Sequence, residues 1–560
     1  MTEQSKPGPS HARQRAVLYI MTFIMGGCGI AYEYTFSKIG SDLLGNSVRQ
    51  WAITIGLMMF FMGIGSDVQK YLKDRHIFDK FIFFEILLGL LGGFGPILMV
   101  WLFGYAREHY VLVQYSLITT TGFLIGLEIP ILARINEQFT KDLRVNIGGV
   151  LRMDYIGGFI GAVLWAYVFI VILDLTRVGF VLGLFNVVTA GVSLYYFRGL
   201  AHRKMALSLF TFVSGVALSI GLYQAPAWTA YAEQKLYMDK VVFSDSTKYQ
   251  HIVLTRSSSG DIFCYINGNT QFSSYDEHIY HEFLVHPAMM AAPRHDKVLV
   301  LGGGDGLAVR EILKYPDVKE ITLVDLDPGM TKLARDNPYL SKMNEGALED
   351  SRLKVIENGA LVDAGEQDVA TPDRTALFGG KPEVTAKVQI VNLDASIFVD
   401  QIRGTYDIII IDFPDPSNLE LSKLYSKSFF TRLRAKLSRD GILVQQSTSP
   451  VHSKEAFLCI GRTMEDSGFN ALPFHENVPV FGEWGWWIAG RDDAWNAEKF
   501  QQFFAGKPEI PVPVKHLTPD LVQASFAFGK DSLTTSQTKV NTILNNVIYL
   551  YYSDALSAGY

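Results

Sequence analysis

Long apolar stretches crowd the first part of this chain and almost vanish afterwards. Apolar runs near residues 16–36, 48–66, 79–105, 111–133, 148–173, 177–197 and 204–222 are each close to the ~20 residues that cross a bilayer core. So many runs of this length in succession predict a multi-pass α-helical membrane domain rather than buried helices of a soluble protein. Beyond Tyr223 the pattern changes. Gln234–Ser244, Gln250–Arg256, Asp261–Asn267 and Asn269–Phe272 alternate polar and apolar residues with Gly and Ser between them, the mark of short antiparallel strands. Strands then alternate with helices. Lys297–Leu301, Glu320–Val324, Lys387–Val391, Tyr406–Ile411 and Gly441–Gln445 read as strands, and Leu307–Lys314, Ser422–Leu437 and Lys454–Ser467 as helices. Continuous apolar strands with helices between them predict a doubly wound, mostly parallel sheet.

The expected layout is an N-terminal tail (1–14), a membrane domain (15–223), a small antiparallel β subdomain (233–295), a Rossmann-like α/β domain (296–491) and a C-terminal extension (492–560). In that extension Asn541–Tyr552 is apolar but too short to span a membrane, and reads as a docking helix. Composition changes the picture little. A net charge of -6 over 560 residues gives no reason to expect a nucleic-acid partner. Cys28, Cys264 and Cys459 are too scattered for a disulfide framework or a metal site. The first apolar run is too long for a cleavable signal peptide.

Charge does orient the membrane domain. Lys6, Arg13, Arg15, Lys70, Lys73, Arg75, Lys80, Arg134, Lys141, Arg144, Arg198, Arg203 and Lys204 fall on one set of connections, against Lys38, Arg49, Arg107 and Arg177 on the other. The bias places the N-terminus in the cytoplasm. Seven crossings then leave everything after Tyr223 outside. Either one segment is re-entrant or the count of seven is off, and the 79–105 run, interrupted by GGFGP at Gly92–Pro96, is the one in question. Glu33, Glu85, Glu128, Arg152, Asp154 and Asp174 lie in or at the ends of the runs. Such groups face a bundle interior, where both an acidic cation cavity and helix-to-helix pairing fit them. Gly157, Gly158 and Gly161 read as close helix contacts.

The candidate chemistry lies in the second part. VLVLGGGDGLA, Val298–Ala308, joins a strand to a helix through a glycine-rich turn, including Gly302 and Gly304. Such a turn lets backbone approach a ligand at a helix N-terminus. About twenty residues on, Asp325 ends the next strand, the place where a ribose diol is held. The aspartate inside the turn, Asp305, would repel a pyrophosphate, so a cationic nucleoside suits the site better. Asp394 and Asp412 also fall at or just past strand ends, with Asp415 beyond. A lone aspartate there is most simply a cap or turn residue. Four carboxylates at the ligand-binding edge of one sheet suit a polycationic substrate.

These residues carry a resemblance. KYQ at Lys248–Gln250, INGNTQ at Ile266–Gln271, DEHIYHE at Asp276–Glu282 and GGGDG at Gly302–Gly306 belong to it. So do Arg310–Glu311, VDLD at Val324–Asp327, DFPDP at Asp412–Pro416 and VPVFGEWGWW at Val478–Trp487. Together they resemble the polyamine aminopropyltransferases, the spermidine and spermine synthase family, whose fold is that of S-adenosylmethionine-dependent methyltransferases. GLEIP at Gly126–Pro130 and DYIGG at Asp154–Gly158 are similar, more loosely, to the multi-helix region of membrane-fused bacterial members.

The resemblance implies decarboxylated S-adenosylmethionine as co-substrate, no tightly bound cofactor or metal, a polyamine acceptor, a lipid bilayer and a homodimer. On the donor side it implies Gln250 near the sulfur, Asp305 on the aminopropyl ammonium, Asp325 on the ribose and Asp394 on the adenine. It makes Asp412 the proton acceptor, and places Tyr280, His281, Asp415, Gln271 and Trp484 on the acceptor side. Trp486 and Trp487 fit a channel lining and ordinary core equally. Three departures stand out: Ser417-Asn418-Leu419 in place of Gly-Pro-Ala, Phe481 or nothing in place of a tyrosine, and a polar insertion at 360–385. Adenosyl donors are made in the cytoplasm, so substrate supply puts the catalytic domain there, against the charge bias. A methyltransferase on the same sheet, or a non-enzymatic polyamine sensor or transporter built on the membrane half, are the competing readings.

Overall fold

Pro96 does not break the third apolar run. In the computed structural model, α3 (Ile77–Tyr105) continues through GGFGP as one helix. The glycines are contact points: a Cβ on Gly92 would lie 2.1 Å from the Tyr32 ring, and one on Gly95 2.8 Å from Phe36. The re-entrant reading of this run is thereby corrected. The described residues are 9–44, 47–140, 142–348, 354–357, 360–361, 387–491 and 494–557. They form two units dividing between Lys248 and Tyr249.

Among the described residues, seven helices of the first unit are long and apolar enough to cross a membrane. Around α3 stand α1 (Pro9–Leu44), α2 (Ser47–Val68) and α4 (Arg107–Asn136). A fifth span starts as α5 (Leu143–Leu164), passes a π-helical turn at Trp165–Phe169 and ends as α6 (Ile170–Ile172). Next come α7 (Leu175–Tyr196) and α8 (Lys204–Glu233). Glycines join α1 and α5: a Cβ on Gly157 would meet Phe23 O at 1.9 Å, and one on Gly161 would meet Gly27 O at 2.4 Å. Among the buried acids, Glu85 joins helices. Glu85 accepts from Asn186 Nδ2 at 3.1 Å, and Tyr32 donates to Asn186 Oδ1 at 3.0 Å. Asp174 caps α7, accepting from Arg177 N at 2.8 Å. The strand expected from Gln234 starts later, as β1 (Lys240–Ser246). The amides of Gln234, Lys235 and Leu236 still bond back to α8 carbonyls.

The second unit opens with antiparallel β2 (His251–Arg256), β3 (Ile262–Ile266) and β4 (Asn269–Ser273). Asn267 and Gly268, both at positive φ, make the tight β3–β4 turn. The stretch expected as a β-strand subdomain (233–295) also contains a 15-residue helix, α9 (Glu277–Ala291), for which no element was expected. Its buried face mixes Ile279, Phe283 and Leu284 with His281, Glu282 and His286, so no clean apolar stripe marks it.

The large sheet is built from β5 (Lys297–Gly302), β6 (Glu320–Asp325), β7 (Lys354–Glu357), β8 (Ala360–Leu361), β9 (Lys387–Asn392), β10 (Tyr406–Asp412), β11 (Leu437–Gln446), β12 (Asn470–Val478) and β13 (Gly482–Gly490). Its nine strands lie in the order β12-β13-β11-β10-β5-β6-β9-β7-β8. The strands from β11 to β7 in this order pair in parallel. β13 and β12 at one edge, and β8 at the other, run antiparallel to their neighbours. The chain steps from β5 to β6, goes on to β7 and β8 at the edge, comes back to fill the gap between β6 and β7 with β9, and then crosses to β5's other side at β10. The β5/β10 boundary is therefore the topological switch point, where open α/β sheets bind ligands. This is the Rossmann-like, methyltransferase-type architecture. Apolar layers cover both faces of the sheet.

The helix expected over Ser422–Leu437 is split. Leu419–Ser422 and a 3-10 turn at Lys423–Tyr425 precede Lys427–Arg434, because Ser426 turns extended to cap the latter. Most of the polar insertion, 362–385, lies outside the described residues. The docking helix runs over Val547–Ser557, slightly later than expected.

Candidate active site

The switch point gathers the acids. Asp412 ends β10 and pairs in register with Gly302, the last residue of β5. Asp325 ends β6 and pairs with Asn392, two residues before Asp394. Glycine is required between them. Gly302 has φ +82°, and a Cβ there would lie 2.1 Å from Asp412 O. A Cβ on Gly304 would lie 2.6 Å from the Asp325 carboxyl. The loop passes so close that Gly304 N donates to Asp325 Oδ2 at 3.0 Å. Asp327 N holds the other oxygen at 2.8 Å. Asp305 Oδ1 accepts from Leu307 N, the first residue of α10 (Leu307–Ile312), at 2.8 Å.

α9 supplies the opposite wall. Tyr280 donates to Asp412 Oδ1 at 2.5 Å. A ring nitrogen of His281 and carboxylate oxygens of Asp305 and Asp412 all lie within 4.8 Å of one another. The two carboxylates can take an ammonium. His281 Nδ1 donates to Glu277 O at 2.7 Å. Behind it, Arg310 grips Glu277 with two bonds of 2.8 and 2.9 Å, and Glu311 with one of 2.8 Å. Trp486 is fully buried and sits 5.6 Å from the Tyr280 ring.

The electrostatics follow from burial. Desolvation, then repulsion from Asp305, pushes Asp412 up to about 6, while His281 and Tyr280 pull the other way. Desolvation raises Asp325 to about 7, Asp415 to about 6, and Asp305 also upward. Burial would lower His281, but the Glu277 hydrogen bond and charge override it and hold the imidazole at about 9. Asp305, Asp325, Asp412 and Asp415 thus crowd one rim with a single protonated imidazole beside them, an arrangement that a cationic ligand relieves.

The other expected site residues are more dispersed. Asp394 lies past β9 as expected, but its Oδ1 caps the following helix and its Oδ2 pairs with Lys423 Nζ at 2.7 Å. Asp415 accepts from Gln446 Nε2 at 3.3 Å and from Tyr552 OH at 2.9 Å. Gln250 is half-buried just before β2. The Gln271 amide folds back on its own strand, donating to Asn269 O at 3.2 Å. Trp484 is half-buried and lies 4.9 Å from the Phe481 ring. Its Nε1 finds no partner among the described residues. Trp487 is core: its Nε1 donates to Phe457 O at 3.0 Å. Sequence reasoning missed Glu277, Gln446 and Tyr552. Glu277 and Arg310 stood in the quoted motifs without a role, whereas nothing near Gln446 or Tyr552 marked them.

The spermine/spermidine synthase domain matches residues 277–376 and 380–501. A polyamine aminopropyltransferase of Oceanobacillus iheyensis is 35% identical over 547 residues, 97% of this chain and 98% of that one. Another, from Leptospira interrogans, is 36% identical over 543 residues, 96% of this chain and 98% of that one. A crystal structure of spermidine synthase from Thermotoga maritima superimposes with a TM-score of 0.40 at 22% identity, covering 52% of this chain and 87% of that one.

Proposed function

Because the chain belongs to the polyamine aminopropyltransferase family, we propose that it moves the aminopropyl group of decarboxylated S-adenosylmethionine onto an amine such as putrescine. The observation that carries this is the meeting of Asp305, His281 and Asp412 within 4.8 Å at the β5/β10 switch point.

The donor is a sulfonium with a free ammonium and no carboxylate. Asp305 takes the ammonium, Asp325 the ribose hydroxyls, Asp394 borders the adenine and Gln250 the sulfur. Gly302 and Gly304 let backbone approach the nucleoside. Tyr280, His281, Asp415, Gln271 and Trp484 border the acceptor. An alkylammonium has no lone pair to attack with, so Asp412 accepts its proton. The freed nitrogen forms a bond to the carbon beside sulfur as the carbon–sulfur bond breaks. The bonding pair stays on sulfur, and methylthioadenosine leaves as a neutral thioether. The sulfonium carbon is already activated, so positioning supplies most of the remaining rate. Intact S-adenosylmethionine would bring its carboxylate towards Asp305, which disfavours methyl transfer.

The seven long apolar helices found among the described residues support a seat in the cell membrane, and substrate supply favours a catalytic unit facing the cytoplasm. With an odd number of spans the N-terminus is then outside, against the Lys/Arg bias. Reporter fusions after Tyr223 and at Tyr560 test this, and an external reporter at Tyr560 refutes it. The activity test is release of methylthioadenosine by purified protein given the decarboxylated donor with putrescine, cadaverine or spermidine. No release with any of these amines, or methyl transfer from the intact donor, overturns the reading.

A further inference from the structure

Asp415, like Asp412 and Asp325, is held by neutral donors, unlike two other carboxylates of this part of the fold. Asp394 has a lysine partner and Glu277 an arginine. The groups that hold Asp415 are neutral: Gln446 on Oδ1 at 3.3 Å and Tyr552 on Oδ2 at 2.9 Å. Among the described residues no cationic side chain pairs with it. Neutral donors fix the orientation of a carboxylate without cancelling its charge, which leaves the counter-ion to a ligand.

Tyr552 comes from far along the chain, and its placement is built in several steps. Asn541 Nδ2 donates to Ser422 O at 2.8 Å and to Tyr425 O at 3.1 Å. Ser422 Oγ donates to Asn546 Oδ1 at 2.7 Å. Val547 and Ile548 are buried in the apolar layer beneath β10 and β11. These anchors grip the Leu419–Tyr425 segment that directly follows Asp415. From the other side, Tyr425 OH donates to Pro414 O at 2.9 Å. The C-terminal helix is thus fastened to the same loop that carries Asp415, and its phenol covers one carboxylate oxygen.

We propose that Tyr552 is a positioning residue: through Asp415 it sets the acceptor amine, and its ring closes the acceptor end of the cleft. This rests on the aminopropyl-transfer reading above. Loss of the hydroxyl frees the carboxylate to turn, so the acceptor binds less well while the donor is untouched. The ring limits how far an acceptor extends past Asp415, so removing it admits longer amines.

The test uses the full chain in detergent or nanodiscs. Tyr552→Phe keeps the ring and removes one hydrogen bond to a charged group. The expected result is a rise of about tenfold in KM for putrescine, with kcat, donor KM and Tm within experimental error of the wild type. Tyr552→Ala is expected to improve kcat/KM for spermidine relative to putrescine. An unchanged putrescine KM in Tyr552→Phe overturns the proposal. So does a parallel fall in kcat, donor affinity and Tm, which marks a merely structural role.

Calorimetric titration of putrescine in the presence of methylthioadenosine separates this from the underlying reading, because it needs no turnover. A wild type that turns over no amine, yet binds putrescine more tightly than Tyr552→Phe, sinks aminopropyl transfer and keeps the Tyr552 assignment. Turnover with equal putrescine binding by both proteins does the reverse. A wild type that neither binds nor turns over any diamine sinks both.

Discussion

The Tyr280 hydroxyl donates to Asp412 Oδ1 at 2.5 Å, joining helix α9 to the end of strand β10. Tyr280 therefore holds the proposed proton acceptor in one orientation without neutralising it. Asp412→Asn cannot take a proton from the attacking amine. Its kcat is expected to fall about 10²–10⁴-fold, with donor binding retained. Tyr280→Phe leaves the base but loosens it, and a smaller loss of about tenfold is expected. Single-turnover release of methylthioadenosine reads both. A kcat in Asp412→Asn within a few-fold of the wild type would remove Asp412 from the mechanism.

The acid limb of the pH profile has a defined sign. Burial and Asp305 raise Asp412 to about 6 in the free enzyme. Below that value Asp412 is protonated and cannot act as base, so kcat/KM rises with pH through about 6. A bound sulfonium and ammonium favour the carboxylate, which moves the limb lower in kcat than in kcat/KM. The amine's own titration adds a slope at higher pH, which a less basic acceptor shifts and the Asp412 limb does not follow. Identical acid limbs in kcat and kcat/KM would contradict this account.

Gly304→Ala separates the donor side from the acceptor side. The new Cβ would lie 2.6 Å from the Asp325 carboxyl and so push that side chain out of the cleft. Donor KM is expected to rise by about tenfold or more, while acceptor KM changes little, and overpacking costs about 1–3 kcal/mol of stability. Initial rates over a two-substrate grid give both constants. Equal effects on both substrates would mean that Gly304 acts on the fold rather than on Asp325.

What could be read beforehand follows a physical divide. The parallel strands were legible because they are buried on both faces and read as unbroken apolar runs, such as Ile408–Ile411. The ends of β6 and β10 were legible because an aspartate closes each of these two runs, Asp325 and Asp412, and both lie at the same edge of the sheet. α9 was not legible, because its inward face carries Glu277, His281 and Glu282, polar groups whose partners lie far off in sequence. Glu282, for instance, accepts from the backbone N–H groups of His516 and Leu517 at 2.9 and 2.8 Å. Tyr552 stayed hidden for the same reason: 137 residues separate it from Asp415, and only folding brings them together. GGFGP misled in the opposite direction. Glycine and proline usually punctuate helices, but inside a packed bundle the glycines of α3 seat Tyr32 and Phe36.

The same crowding of charge that suits a cationic ligand destabilises the empty enzyme, and this gives a prediction opposite in sign to the loss of activity. Asp412 titrates at about 6 in the folded chain, above its ordinary 3.8. Between these values the folded state holds more proton than the unfolded one. The contribution of Asp412 to stability is thus best below about 4 and declines as pH rises through about 6. Asn at this position carries no charge, still accepts from Tyr280 and no longer repels Asp305. At pH 8 the ligand-free Asp412→Asn enzyme is expected to be more stable than the wild type by about 1–2 kcal/mol. The advantage should shrink at pH 5. It should shrink again when the decarboxylated donor is added at pH 8, because the sulfonium and ammonium supply the wild type with the counter-charge it lacks. Thermal melting of both proteins at the two pH values, with and without donor, checks all three differences. A variant less stable than the wild type at pH 8 would show that Asp412 is held by an attraction stronger than its repulsion from Asp305.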